Sequence, residues 1–214
     1  MLVPVKPAEL QKLIPAVASG PQFNACSGNP RKILQRVLIA VIGGVLSLLI
    51  AQSQFSYRFG PVWLVAGFVF LLYVLWGPIL EAGRKNSVLR RYPAGAIFEG
   101  VVADLFTREL VEERNEQADA RGRLELVENR RTWLCLELED DDGYLGQIRF
   151  PMNKKHKLIR RGMVIRCLAL SERPDFVRIG ALTDAWLPQL KLWVGEYPYL
   201  LRPAFEELCL RRLR

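Results

Sequence analysis

The sequence predicts an α+β membrane protein: a two-helix transmembrane hairpin, a small antiparallel β-barrel or sandwich domain, and short terminal helices. Three observations predict it. Two apolar runs, residues 37–51 and 59–80, carry no charge and are separated only by the polar turn 52–58. From Ala94 onward the apolar period shortens to that of strands, with turn residues between the runs. The last residues then return to helical spacing, with Phe205, Leu208, Cys209 and Leu213 on one face.

Residues 1–30 read as an N-terminal cytoplasmic or interfacial segment. Pro7 can open a short helix in which Leu10, Leu13 and Ile14 share a face, suited to the headgroup region of a bilayer. No apolar signal core stands in this segment, so no cleavable signal is expected. The turn signals Ser19-Gly-Pro and Ser27-Gly-Asn-Pro lead to the hairpin.

The hairpin and its juxtamembrane extension occupy residues 31–92. A bilayer core about 30 Å thick needs roughly 20 apolar residues per helix, with about 17 at the lower end. The second run meets that length and the first falls slightly short of it. Ala40, Gly43, Gly44 and Ser47 form a small-residue face on the first helix, matched by Ala66 and Gly67 on the second. Small residues let helix backbones approach, so these six are the candidate helix-contact site, either within the hairpin or with a partner helix. Trp63 and Trp76 lie where an aromatic belt is expected. Pro61 and Pro78 fall in the first and last turns, leaving the middle of the second span unbroken. That helix is expected to run on to about Leu89, before Tyr92-Pro93.

Charge sets the orientation. Arg31, Lys32 and Arg36 precede the hairpin, and Arg84, Lys85, Arg90 and Arg91 follow it, whereas Arg58 stands alone in the turn. The positive-inside bias places both termini on the cytoplasmic or stromal side. Arg36, Arg84, Lys85, Arg90 and Arg91 are the candidate membrane-surface or partner contacts, the last four each worth about 1 kcal/mol against anionic lipid.

Residues 93–190 read as a cytoplasmic β domain with about five strands: 97–106, 133–138, 144–150, 163–170 and 176–182. The densely charged stretch 108–123, punctuated by Gly122, is a solvated hairpin loop or a strand extension. The turn 139–143 is rich in Asp and ends in Gly143. Residues 191–214 close the chain with the short amphipathic helix.

A search for chemistry finds no enzyme, cofactor, metal or small-molecule site. His156, the single histidine, sits in the basic turn Asn153-Lys-Lys-His-Lys without an orienting carboxylate. Asp140, Asp141 and Asp142 lack the alternating ligands and distal Glu of a calcium loop. The cysteines Cys26, Cys135, Cys167 and Cys209 form no CxxC pair and read as reduced, buried thiols. The net charge of +8 and a pI near 9.6 suggest an anionic partner: nucleic acid, lipid or acidic protein. Lys154, Lys155, Lys157, Arg160 and Arg161 form a basic run, but no aromatic residues interleave it as a base-stacking platform would need. Neither span holds an ionisable residue at mid-depth, which argues against ion or phosphate transport.

Three stretches carry a resemblance: residues 13–23 (LIPAVASGPQF), residues 76–86 (WGPILEAGRKN) with Leu89-Arg-Arg-Tyr-Pro93, and residues 192–200 (LWVGEYPYL). Together with Ser171-Glu-Arg-Pro-Asp-Phe-Val-Arg-Ile179 they resemble a family of cyanobacterial and plastid membrane proteins, often labelled phosphate-transporter permeases. The resemblance covers nearly the whole chain and supplies no catalytic residues. It implies a thylakoid protein of photosynthetic organisms, which with the hairpin gives a multi-pass protein of the thylakoid or plasma membrane. It further implies an accessory factor bound to photosystem subunits during assembly, in particular the reaction-centre modules of photosystem II. The permease label conflicts with the bare spans. The expected function is thus a non-catalytic assembly factor that binds a photosystem subunit through its hairpin and β domain. Two alternatives stay open: a small auxiliary subunit of a transporter or channel, and a membrane-tethered nucleic-acid-binding module.

Overall fold

Asn29 and Pro30 start the long helix of the molecule: the Asn29 side chain accepts from the Arg31 N–H, and Pro30 occupies the first helical position. The computed structural model describes residues 1–53, 59–118 and 124–213. Within them the chain runs β1 (Leu2–Val5), α1 (Pro7–Leu13), α2 (Gly20–Ser27), α3 (Pro30–Gln52), α4 (Gly60–Leu71), α5 (Tyr73–Leu89), β2 (Ala94–Ala118), β3 (Leu124–Glu139), β4 (Leu145–Pro151), β5 (Val164–Ser171), β6 (Ala181–Leu187), β7 (Leu192–Val194) and α6 (Arg202–Arg212). This is an α+β protein with six helices and one seven-stranded antiparallel sheet among the described residues. Two units divide it: Ile14–Arg91 forms a helical unit, and Met1–Leu13 with Tyr92–Arg214 forms a sheet unit.

In the helical unit, α3 and α4 run antiparallel along a seam of small residues. A Cβ built on Gly67 would lie 3.3 Å from the Ser47 Cβ, and one on Gly43 would lie 2.5 Å from the Phe70 ring. The expected second span, unbroken from residue 59 to about Leu89, is instead bent by 70° between α4 and α5 at Leu72. A continuous helix would place the Tyr73 N–H on the Val69 carbonyl. Here the Trp76 indole N–H takes that carbonyl at 2.9 Å, satisfying an acceptor the break would leave free. Pro78 lies inside α5, downstream of the bend. The turn 54–58, including Arg58, lies outside the described residues, as does Gly122.

In the sheet unit the strand order is β4-β3-β2-β5-β6-β7, with β1 added along β2. The first part of β2 is held on two sides: Gly95–Phe98 pairs with β1, and 94–101 pairs with β5. From Val101 it pairs with β3 instead, and β4 covers β3 only as far as Trp133↔Pro151. Beyond that point β2 and β3 continue as a two-stranded ribbon to Ala118↔Leu124, so the charged stretch up to residue 118 is a strand extension. The barrel or sandwich expectation takes the form of one sheet whose ladder ends at β4 and β7. Leu182 of β6 comes within 3.0 Å of a Cβ built on Gly146 of β4, so the sheet curls across its own face. Phe98, Leu136, Leu138, Phe150, Ile165 and Leu187 fill the enclosed core.

Three expectations change here. The strand expected at 176–182 forms at Ala181–Leu187 instead, and Phe176 sits in a loop at φ +52°. The reason is that β6 carries buried polar residues, Thr183 and Asp184, which disguise its apolar pattern. Residues 2–5, read as part of a leader, form β1. Helix α1, expected at the headgroups, belongs to the sheet unit: its Leu10 packs against Gly95, the Leu13 carbonyl accepts from the Leu201 N–H, and Glu9 pairs with Arg212 of α6. The C-terminal helix buries Phe205, Leu208 and Cys209 as its pattern expects.

Candidate functional site

The outer surface of α3 and α4 is the feature of this protein that water cannot cover well. Leu38, Val41, Ile42, Val45, Leu46 and Leu49 of α3 are exposed, as are Val62, Leu64, Val65, Phe68 and Val69 of α4. An apolar surface of this extent marks a lipid or protein contact. Helix α3 is 23 residues long, with a mean hydropathy of 2.3 over its most apolar window, which is long and apolar enough to cross a membrane. At 1.5 Å per residue it measures about 34 Å and the 12-residue α4 about 18 Å.

The small-residue site lies between these helices. Ala40, Gly44, Ser47 and Gly67 are buried, while Gly43 and Ala66 are half-buried. Gly44 faces Leu71 of α4, and Gly67 faces Ser47 of α3. The face is therefore occupied by the chain's own second helix. What remains outward for another partner is the larger aliphatic surface.

At the polar end of the apolar stretch, α3 and α5 share a charged cluster. Arg36 was expected at the membrane surface, but its side chain is only 7% exposed. Its guanidinium donates to Glu81 Oε2 at 2.7 Å and to the Cys26 carbonyl at 3.2 Å. The physical reason is position: Glu81 ends the second apolar run and faces α3, so Arg36 is better satisfied inward than in the headgroups. Lys32 also pairs with Glu81, and Lys85 lies 3.9 Å from the same carboxylate. Arg84 and Arg91 are exposed, and Arg90 donates to the Ile14 carbonyl at 2.6 Å.

A buried amide pair that no local sequence pattern announces completes this base. Gln22 of α2 and Asn86 of α5, both fully buried, exchange amide hydrogen bonds at 3.2 and 2.9 Å. Asn86 also donates to the Pro15 carbonyl at 2.9 Å, and Gln22 Oε1 accepts from the Ser19 N–H. Every amide group is matched, as a buried polar network requires. The signal was present, since Pro15, Gln22 and Asn86 all fall within the stretches that carry the family resemblance.

The sheet unit holds a second buried polar group, Asp184. Its Oδ1 accepts from the Leu200 N–H at 3.0 Å, and Arg202 Nε lies 3.8 Å from Oδ2 without a hydrogen bond. Burial raises its pKa to about 7 against the opposing pull of the Leu200 N–H and Arg202. Neighbouring Thr183 closes a gap in the ladder: its hydroxyl accepts from Leu168 N–H, where the β5–β6 register slips between Cys167 and Ala169. Both residues satisfy backbone groups.

His156, Asp140 and the cysteines are each engaged by their immediate surroundings. His156 Nδ1 accepts from the Asn153 N–H, and burial lowers its pKa, so it acts as a neutral cap. Asp140 accepts from the Asp142 and Tyr144 N–H groups and so shapes its turn, as the sequence reading of this turn holds. All four cysteines are free and buried, and burial pushes Cys209 up to about 12. A groove of about 510 Å³ beside Tyr92, lined by Glu172, Arg173, Asp175 and Arg178, mixes charges without a nucleophile–base pair.

The family described as "Family of unknown function (DUF8619)" matches the chain over residues 3–214. No curated protein and no solved structure matches it.

Proposed function

The chain belongs to the DUF8619 family, whose function is unknown, and from its own residues we propose a two-pass, membrane-anchored accessory factor. The observation that carries this reading is the exposed aliphatic surface of α3 and α4, free of ionisable residues from 37 to 51 and from 60 to 71. Such a surface needs lipid or a membrane subunit to cover it. The hairpin begins and ends at the charged base, which fits termini on the cytoplasmic or stromal side. The internal seam of small residues makes the hairpin a preformed unit, so a partner would meet its aliphatic outside. The sheet unit would then cover polar loops of the same partner.

The family resemblance supports a narrower reading: a non-catalytic assembly factor of the thylakoid membrane whose partner is a photosystem subunit, in particular of the photosystem II reaction centre. The bare spans speak against a permease. Purification of the tagged protein in mild detergent tests this. Co-purification of chlorophyll-binding subunits is expected, and recovery of a pigment-free transporter complex instead would overturn it.

A further inference from the structure

The basic turn Lys154–Leu158 of the sheet unit is a surface that neither the ladder nor the core employs. Its base is rigidly held. Asn153 caps it by accepting from the Lys154 N–H, while His156 accepts from the Asn153 N–H. The His156 ring packs edge-on against the fully buried Phe150, with centroids 4.7 Å apart. Arg160 donates to the Lys157 carbonyl, closing the turn from the other side.

Around this base, Lys154, Lys155, Lys157 and Arg160 are exposed, and none forms an ion pair with a carboxylate among the described residues. Arg161, next in sequence, is by contrast paired with Asp104. Between the cations stands Leu158, 59% exposed, with no packing role to explain it. Unpaired cations around one exposed aliphatic side chain suit the interface of an anionic bilayer, where ammonium groups meet headgroups and the leucine enters the acyl boundary. A nucleic acid fits less well, because Phe150 is buried and His156 packs against it, so no ring is offered for base stacking.

We infer that the turn 154–160 docks the sheet unit on an anionic membrane surface. The inference rests on the membrane reading above, so its test carries a probe for each. Leu46→Cys and Leu158→Cys are labelled separately with an environment-sensitive fluorophore, the native cysteines being buried. The full chain is reconstituted in nanodiscs of phosphatidylcholine alone, or mixed with phosphatidylglycerol, containing a lipid-borne quencher. The Leu46 probe should be quenched in both. The Leu158 probe should be quenched only in anionic discs and released at high salt, where the screening length shortens to about 3 Å. Each of Lys154→Glu, Lys155→Glu and Lys157→Glu should lower the docked-to-free ratio about fivefold or more. Lys→Gln versions at the same positions give the same direction with a smaller effect.

If the Leu46 probe stays in water, the membrane reading fails and takes this inference with it. If Leu46 is quenched while Leu158 stays in water in anionic discs, the docking inference alone is overturned. Equal quenching of Leu158 in neutral discs overturns it too, as does a Leu158 response to added RNA but not to anionic lipid.

Discussion

Asp184 is the residue whose environment makes the sharpest demand. A carboxyl raised to about 7 by burial binds its proton more tightly when folded than when unfolded. The folded state therefore loses stability as pH rises from the unfolded value near 4 through about 7, and loses no more above that. Asp184→Asn keeps an acceptor for the Leu200 N–H and removes the buried charge. Thermal unfolding of the detergent-solubilised protein should show the variant flatter than the parent between pH 5 and 8. Asp184→Ala leaves the Leu200 N–H unmet and should cost about 1–3 kcal/mol at pH 5 and below, where the parent's carboxyl is protonated, with the cost shrinking as pH rises through about 7. Glu81 offers a second test. Glu81→Ala leaves Arg36 buried without its partner, an expected loss of about 3 kcal/mol. The double change Arg36→Met with Glu81→Leu should recover most of it, which a purely local packing defect at position 81 would not allow.

At the scale of elements, the α3–α4 seam and the bend at Leu72 decide what the hairpin can do. Gly67→Val forces a branched side chain towards Ser47 at a point where the Cβ alone meets it at 3.3 Å. It should cost about 1–3 kcal/mol by overpacking, read as a lower melting temperature in detergent. Gly20→Ala, with nothing within 4 Å, serves as the control. The bend leaves α4 at about 18 Å, shorter than a bilayer core of about 30 Å. Two passes therefore require the apolar start of α5 to complete the second crossing. Cysteines introduced at Ser53 and Arg84 should react with an impermeant maleimide from opposite sides of the membrane. Labelling of both from one side would make α4 a re-entrant segment. The α3–α4 seam was legible in the sequence because small residues at helical spacing announce a close approach. The bend was not, because its acceptor swap joins Trp76 to Val69 through a side chain that also suits an interfacial belt.

For the molecule as a whole, the proposed two-pass anchor predicts resistance to both high salt and alkaline carbonate extraction from membranes, since the exposed surface of α3 and α4 is aliphatic rather than charged. Release by salt alone would refute that. The net charge of +8 would then be the main attachment rather than an orienting and docking contribution.

By itself the sequence determined the features that depend on neighbours within a few residues. These are the apolar run of α3, the small-residue face, the turn at 139–143, four of the strands and the amphipathic C-terminal helix. Each is written in a local period, and period alone selects helix or strand. Tertiary structure decided what depends on partners far along the chain. It turned Arg36 inward because Glu81 waits on α5, and it joined Gln22 to Asn86. It placed the strand at 181–187 because Thr183 and Asp184 complete backbone bonds that no local pattern shows. It also drew residues 2–13 into the sheet unit, where β2 supplies an open edge for β1 and α6 an ion pair for α1. The reason is common to all four cases: a polar group's free energy depends on whether a partner is present, and only the folded chain supplies that partner.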